Sequence, residues 1–226
     1  MARAKTTKPK TIAAPQLRYL GPKSRKEVWF EETTILFLIA ACIEVIDGGN
    51  AKNDTEMVGL LYGKSFNTEP GLPQNRYYVR RGYVIQNAQR EEASVSYSSQ
   101  IRDKMNSFFN YNLRDEPLGS FHLHPNGSSQ LSRADKINRF EPGQLKFLIF
   151  LKEKQFIKDD VSSGGASVQI TSIDDKYYEL NVRCKVGLRR ENRRRADFFV
   201  TFGVRGWYRY DVGSDKRYAP VSIMIV

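Results

Sequence analysis

Histidine is scarce in this chain, with two residues in 226. Cysteine is equally scarce: Cys42 and Cys184 lie far apart, each inside an apolar stretch. Two such residues exclude a disulfide-built fold and a cysteine-rich metal knuckle, and both read as buried thiols in a reducing compartment. Long apolar runs are missing. The longest, Ile35 to Ile43, has nine residues, too few to span a bilayer, so no membrane partner is expected. The first residues lack the apolar core of a secretory signal, and a cytoplasmic location is the expectation. Acidic side chains are absent from residues 1–26, which carry eight basic ones. The net charge is +11, so the other 200 residues hold only +3. The charge excess is therefore a Pro- and Thr-containing arm over 1–26, expected to be disordered, and not a basic domain built to hold nucleic acid. A second cluster, Arg189 to Arg195, has few aromatics among its arginines and reads as a solvated loop before it reads as a phosphate patch.

Against this background the placement of histidine stands out. Both residues fall in Gly119-Ser120-Phe121-His122-Leu123-His124-Pro125, and Ser132-Arg133-Ala134-Asp135 follows. The first segment reads as a strand. On a strand, residues two apart share a face, so His122 and His124 present their imidazoles side by side. Asp135 can add a carboxylate from the next element. Two nitrogens and one oxygen on a divalent ion leave a fourth position open for water, which suits a catalytic zinc site better than a closed structural one. Each residue has a plainer explanation alone. Ser132 and Asp135 can form a capping box at a helix start. Histidines on a strand can be ordinary hydrogen-bonded side chains, and Pro125 can simply end the strand. Their joint spacing is what favours the metal.

His-x-His-Pro, six residues, then Ser-x-x-Asp resembles the JAMM motif of the JAB1/MPN/Mov34 metalloenzymes at His122, His124, Pro125, Ser132 and Asp135. Glu56-Met57-Val58-Gly59-Leu60-Leu61-Tyr62-Gly63 is similar to the family's upstream glutamate segment. Two positions depart from the usual pattern: Leu123 stands where serine is common, and Leu131 where proline is. Neither is a ligand. The resemblance covers about residues 30 to 180 and implies Zn²⁺ on His122, His124 and Asp135. It also implies Glu56 as the general base and Ser132 as a donor to the oxyanion. The implied reaction is hydrolysis of a peptide or isopeptide bond, at the C-terminal tail of a ubiquitin-like or sulfur-carrier-like protein. Two other functions compete. The His-Pro-Asn-Gly turn after His124 and the basic arm resemble the RadC branch and its association with nucleic acid. Other proteins of this fold act as scaffolds with a vestigial metal site, but here all five motif residues are intact.

The implied fold class is α/β: a curved mixed sheet flanked by helices, with an all-β C-terminal extension. The domain reading is an arm over 1–26, a metalloprotease domain over 27–184 and β-rich sequence over 185–226. Ile35 to Ile43 reads as a helix apolar nearly all round, buried between layers, capped by Thr33 or Thr34 and stopped by Gly48-Gly49. A second helix begins at Ser98 or Ser99, with Ile101, Met105, Phe108 and Phe109 as its core stripe. Strands are expected over 56–62, 77–85, 118–124, 145–151, 168–173, 177–184, 198–204, 207–212 and 221–226. The segment after 185 is either more of the same sheet or a small second module. With Pro142 and Gly143 following the motif helix so soon, residues 64–76 and 86–97 are the segments that could clasp a ubiquitin-like partner.

Overall fold

The computed structural model describes residues 26–46, 56–66, 76–86, 89–91, 94–96, 98–133, 135, 145–156, 168–172, 179–189, 195–212 and 215–226. The elements run β1 (Glu27–Phe30), α1 (Glu32–Val45), β2 (Met57–Phe66), β3 (Arg76–Val84), β4 (Gln89–Glu91), β5 (Ser94–Ser96), α2 (Ser99–Leu113) and β6 (Glu116–His124). They continue with β7 (Leu145–Phe156), β8 (Val168–Ser172), β9 (Glu179–Arg189), β10 (Arg195–Val212), β11 (Asp215–Pro220) and β12 (Ser222–Ile225). The main sheet has the order β12-β1-β3-β2-β6-β7-β10-β9-β8, with β11 pairing β10. It is mixed: β1 is parallel to both β12 and β3, β6 is parallel to β7, and the remaining pairs are antiparallel. Among the described residues this is an α/β fold with a curled mixed sheet and two helices.

Alternation along β2 and β6 divides the sheet into two faces. Met57, Leu61, Phe121 and Leu123 enter the larger core, against Ile35, Leu38 and Cys42 of α1. Val58, Leu60 and Tyr62 point the other way, into a smaller cluster with Phe109 of α2. The rings of Tyr62 and Phe109 stack 3.9 Å apart. Each fully buried side chain of this size stabilises the fold by about 1.5–3 kcal/mol. For β6 that burial also fixes register. A slip by one residue would take Phe121 and Leu123 out of the core and drive both histidines into it.

α2 delivers β6 to its place. Ser98 caps its start by accepting from the Gln100 amide at 3.2 Å. Arg114 ends it in the left-handed region, at φ 55°. Asp115 follows, fully buried, and accepts from Arg80 at 3.3 Å and from Arg81, which ties the helix end to β3. Gly119 lies so close to the Leu145 carbonyl that an added Cβ would collide with it. The missing side chain there lets β6 and β7 pair at this point.

Several expectations are corrected. Neither Thr33 nor Thr34 caps α1. The cap position is Glu31, with no side-chain cap bond, and the buried Thr34 hydroxyl donates to the Arg80 carbonyl at 2.7 Å. α1 is not buried all round, since Phe37 is 54% exposed. On α2, Phe109 is buried but Phe108 is 51% exposed, so the expected stripe is narrower. The segments 198–204 and 207–212 are one strand, β10. That strand lies between β7 and β9, and the residue-185 boundary falls inside β9, so the C-terminal sequence supplies strands of the same sheet. The expected loop 86–97 contains the antiparallel strands β4 and β5, while Gly48-Gly49, residues 1–25, Arg190 to Arg194 and 67–75 of the loop 64–76 lie outside the described residues. No helix among the described residues is long and apolar enough to cross a membrane.

Candidate metal centre

His122 and His124 lie on the β6 face opposite Phe121 and Leu123, and both are buried. Beyond Pro125 the chain turns through Gly127, at φ 79°, a conformation that favours glycine. Leu131 is buried and anchors the far end of this loop. Ser132 then opens a helical turn. Its amide donates to Asp135 Oδ2 at 2.7 Å, and the Asp135 amide donates back to Ser132 Oγ at 3.1 Å. This reciprocal pair fixes the turn and aims the carboxylate at the histidines.

Donor atoms of three residues converge there. His122 Nε2 is 3.0 Å from His124 Nε2 and 3.1 Å from Asp135 Oδ1, and His124 Nε2 is 3.4 Å from Asp135 Oδ2. Ligands on a tetrahedral zinc ion, about 2.0–2.1 Å from the metal, stand about 3.3 Å from one another. The spacing of the two ring nitrogens, and of each ring to one of the two Asp135 oxygens, is close to that edge, and the donor set of two imidazoles and a carboxylate is one zinc accepts. His124 Nδ1 faces the Ser128 carbonyl at 3.1 Å. A proton on Nδ1 makes that bond and leaves the Nε2 lone pair turned to the centre. His122 Nδ1 is buried and finds no hydrogen-bond partner among the described residues, so the polar contacts of that ring are made by Nε2.

Glu56 ends the approach to β2. The β2–β6 register pairs Met57 with Leu123, and one step further sets Glu56 opposite His124. Glu56 is buried. Burial raises its proton affinity; the charge of His124 opposes this, that of Asp135 adds to it, and that of Lys146 opposes it. Burial depresses His122 to about 4 and keeps its ring neutral. Burial pulls His124 the same way, but its hydrogen bonds to Asp135 and Ser128 outweigh this and raise it. Burial would also raise Asp135. The bonds from His122 and His124 overcome that and hold its carboxyl well below the usual range.

One further charged group meets the site, and the motif reading passes over it. Lys146, on β7, is buried; its ammonium donates to the Asp135 carbonyl at 3.1 Å and stands 3.7 Å from Asp135 Oδ1. Burial lowers it to about 8, against the opposing pull of Asp135 and Glu56. Its signal in the sequence is a lysine that interrupts the apolar run from Leu145 to Leu151. Beside the centre lies a cleft of about 680 Å³, lined by Pro125, Asn126 and Gly127 on one side and by Phe150, Lys152 and Arg205 on the other.

No family model and no curated protein matches this chain. Among solved structures that do, the solution structure of protein DSY2949 from Desulfitobacterium hafniense is 14% identical, with 88% of this chain and 92% of that chain covered at a TM-score of 0.47. A likeness of that size carries no argument about the site.

Proposed function

We propose that this chain is a zinc-dependent amide hydrolase of JAB/MPN type, acting on a peptide or isopeptide bond at the C-terminal tail of a ubiquitin-like or sulfur-carrier-like protein. The observation that carries the reading is the convergence of His122, His124 and Asp135 at zinc-ligand spacing on one face of a sheet. Bound there, zinc would supply a Lewis acid and bring the pKa of water toward about 7. The protein's own groups do the rest. Glu56, with its raised proton affinity, takes the proton of the attacking water and passes it to the departing amine. The Ser132 hydroxyl uses a lone pair in the cap, which leaves its hydrogen for the oxyanion. Lys146 and the Ser132 amide hold Asp135, and the Ser128 carbonyl holds His124.

The cations nearest the centre favour this over nucleic-acid binding. Lys152 and Arg205 share the one carboxylate of Glu179, and Lys146 lies against Asp135, so much of their charge is already engaged within the protein. The test has two arms. Elemental analysis of the purified protein is expected to give one zinc per chain. Isopeptide-linked and linear ubiquitin-like conjugates are expected to be cleaved in a chelator-sensitive, zinc-restored manner. Absence of zinc, or turnover indifferent to chelation, removes the proposal. Binding to duplex DNA that weakens steeply with salt would favour the RadC-like alternative.

A further inference from the structure

We infer that Arg205, anchored by Glu179, is a positioning residue of the metal centre: it fixes the loop after His124 and, through that loop, the His124 ring. The inference rests on the metal reading above but concerns residues outside the motif. Glu179 of β9 and Arg205 of β10 are direct cross-strand partners. Glu179 is buried. One of its carboxylate oxygens accepts from Lys152 of β7 at 2.9 Å, and the other accepts from Arg205 Nε. With Nε committed, the planar guanidinium is held in one orientation and its outer nitrogen is free to reach across. Arg205 Nη1 donates to the Ser129 carbonyl at 3.3 Å and lies 3.4 Å from Ser129 Oγ. Ser129 is joined directly to Ser128, whose carbonyl accepts from His124 Nδ1 at 3.1 Å. The chain of contacts is therefore Glu179, Arg205, the Ser129 carbonyl, the Ser128 carbonyl one residue earlier, then the ring that must present Nε2.

Phe150 supports the same arrangement. It is the register partner of His124 on β7, its ring fills the space left by the absent side chain of Gly203, and the Arg205 guanidinium stands 5.8 Å from its centroid. Apart from the contacts of Arg205 and the His124 ring, the hydrogen bonds of residues 125–130 among the described residues are local: the Gly127 amide to the His124 carbonyl at 3.4 Å, the Ser128 amide to Asn126 at 3.1 Å and the Ser128 hydroxyl to the Gln130 carbonyl at 3.5 Å. A half-buried arginine fixed by a buried carboxylate, with spare donors that reach that loop, can set where the Ser128 carbonyl sits. Partners that orient a ligating histidine typically change metal affinity by about 10- to 100-fold when lost.

The experiment uses the full chain. Zn²⁺ affinity is measured by competition with a chromophoric chelator, the Co²⁺-substituted protein gives its absorption spectrum, and a thermal melt reports the fold. Arg205→Met keeps the aliphatic stem and is expected to weaken Zn²⁺ by about tenfold or more and to shift the Co²⁺ bands. Arg205→Lys, which can still pair with Glu179 but presents no fork to Ser129, is expected to show the same loss in a protein that melts like the parent. Glu179→Gln is expected to fall between. Arg183→Met is the control, because Arg183 donates to Gln155 on the same side of the sheet and makes no bond to the loop. Folded Arg205 variants with affinity within about twofold of the parent and an unchanged Co²⁺ spectrum would overturn the inference while leaving the zinc reading intact. A parent protein that binds neither metal would overturn both.

Discussion

Ser132 and Asp135 hydrogen-bond to each other in both directions, each amide donating to the other's side chain. One serine thus serves the helix start and, in the proposed chemistry, the oxyanion. The two roles separate by substitution. Ser132→Ala is expected to cost about 1 kcal/mol of stability and to cut kcat by roughly a hundredfold with little change in KM. Ser132→Asn still caps well and is expected to recover the stability without the turnover. Near-normal kcat in either variant would confine Ser132 to the cap.

Removing a ligand should empty the site. His124→Ala, His122→Ala and Asp135→Ala are each expected to lose zinc and turnover together, because a tridentate site reduced to two donors holds the ion poorly. Elemental analysis after dialysis reads the outcome, and zinc retained by His124→Ala would contradict the assignment.

Glu56→Gln separates binding from chemistry. Glutamine matches glutamate in volume but cannot accept a proton, and Glu56 is not among the converging donors. The variant is expected to keep its zinc and its melting temperature and to lose more than about a hundredfold in kcat. Full activity on any cleavable conjugate would take Glu56 out of the base role.

Gly119→Ala tests the strand pairing beneath the histidines. The new Cβ would meet the Leu145 backbone carbonyl, which no side-chain rotation relieves. A loss of about 1–3 kcal/mol or more is expected from denaturant unfolding, with weaker zinc binding because His122 and His124 ride on the same strand. A wild-type unfolding midpoint would show that β6 and β7 can separate at no cost.

Arg114→Gly should stabilise. Arg114 holds φ 55°, where an L-residue costs roughly 1 kcal/mol and glycine does not. Its backbone bonds to Asn110 and Lys64 survive the change. A rise of several degrees in melting temperature is expected, and a fall would show that the Arg114 side chain contributes more than its backbone strain takes away.

Local chemistry made much of the molecule legible in the sequence. The strand carrying the histidines, the Ser98 cap and the start of β7 follow from alternation, capping preference and apolar density. Local reasoning failed where tertiary partners decide. Apolar density along α1 implies burial all round, yet coverage depends on what packs outside it, and Phe37 is left exposed. Arg205-Gly206 reads as a break between two strands. In the fold, Gly206 makes room for the Phe147 ring and Val221, and β10 runs straight through. Lys146 and the Glu179–Arg205 pair reach the site only through sheet register, which joins residues far apart in sequence.

The placement of β1 has a consequence for how the chain is made. β1 lies between β3 and β12, so one of its edges waits for residues 222–225. On a ribosome adding about 5–20 residues per second, that edge stays open for about 10 to 40 seconds after Phe30 is made. During this interval an apolar strand with unpaired backbone is available to other nascent chains. The last residues of the sheet therefore decide when the first become safe from aggregation.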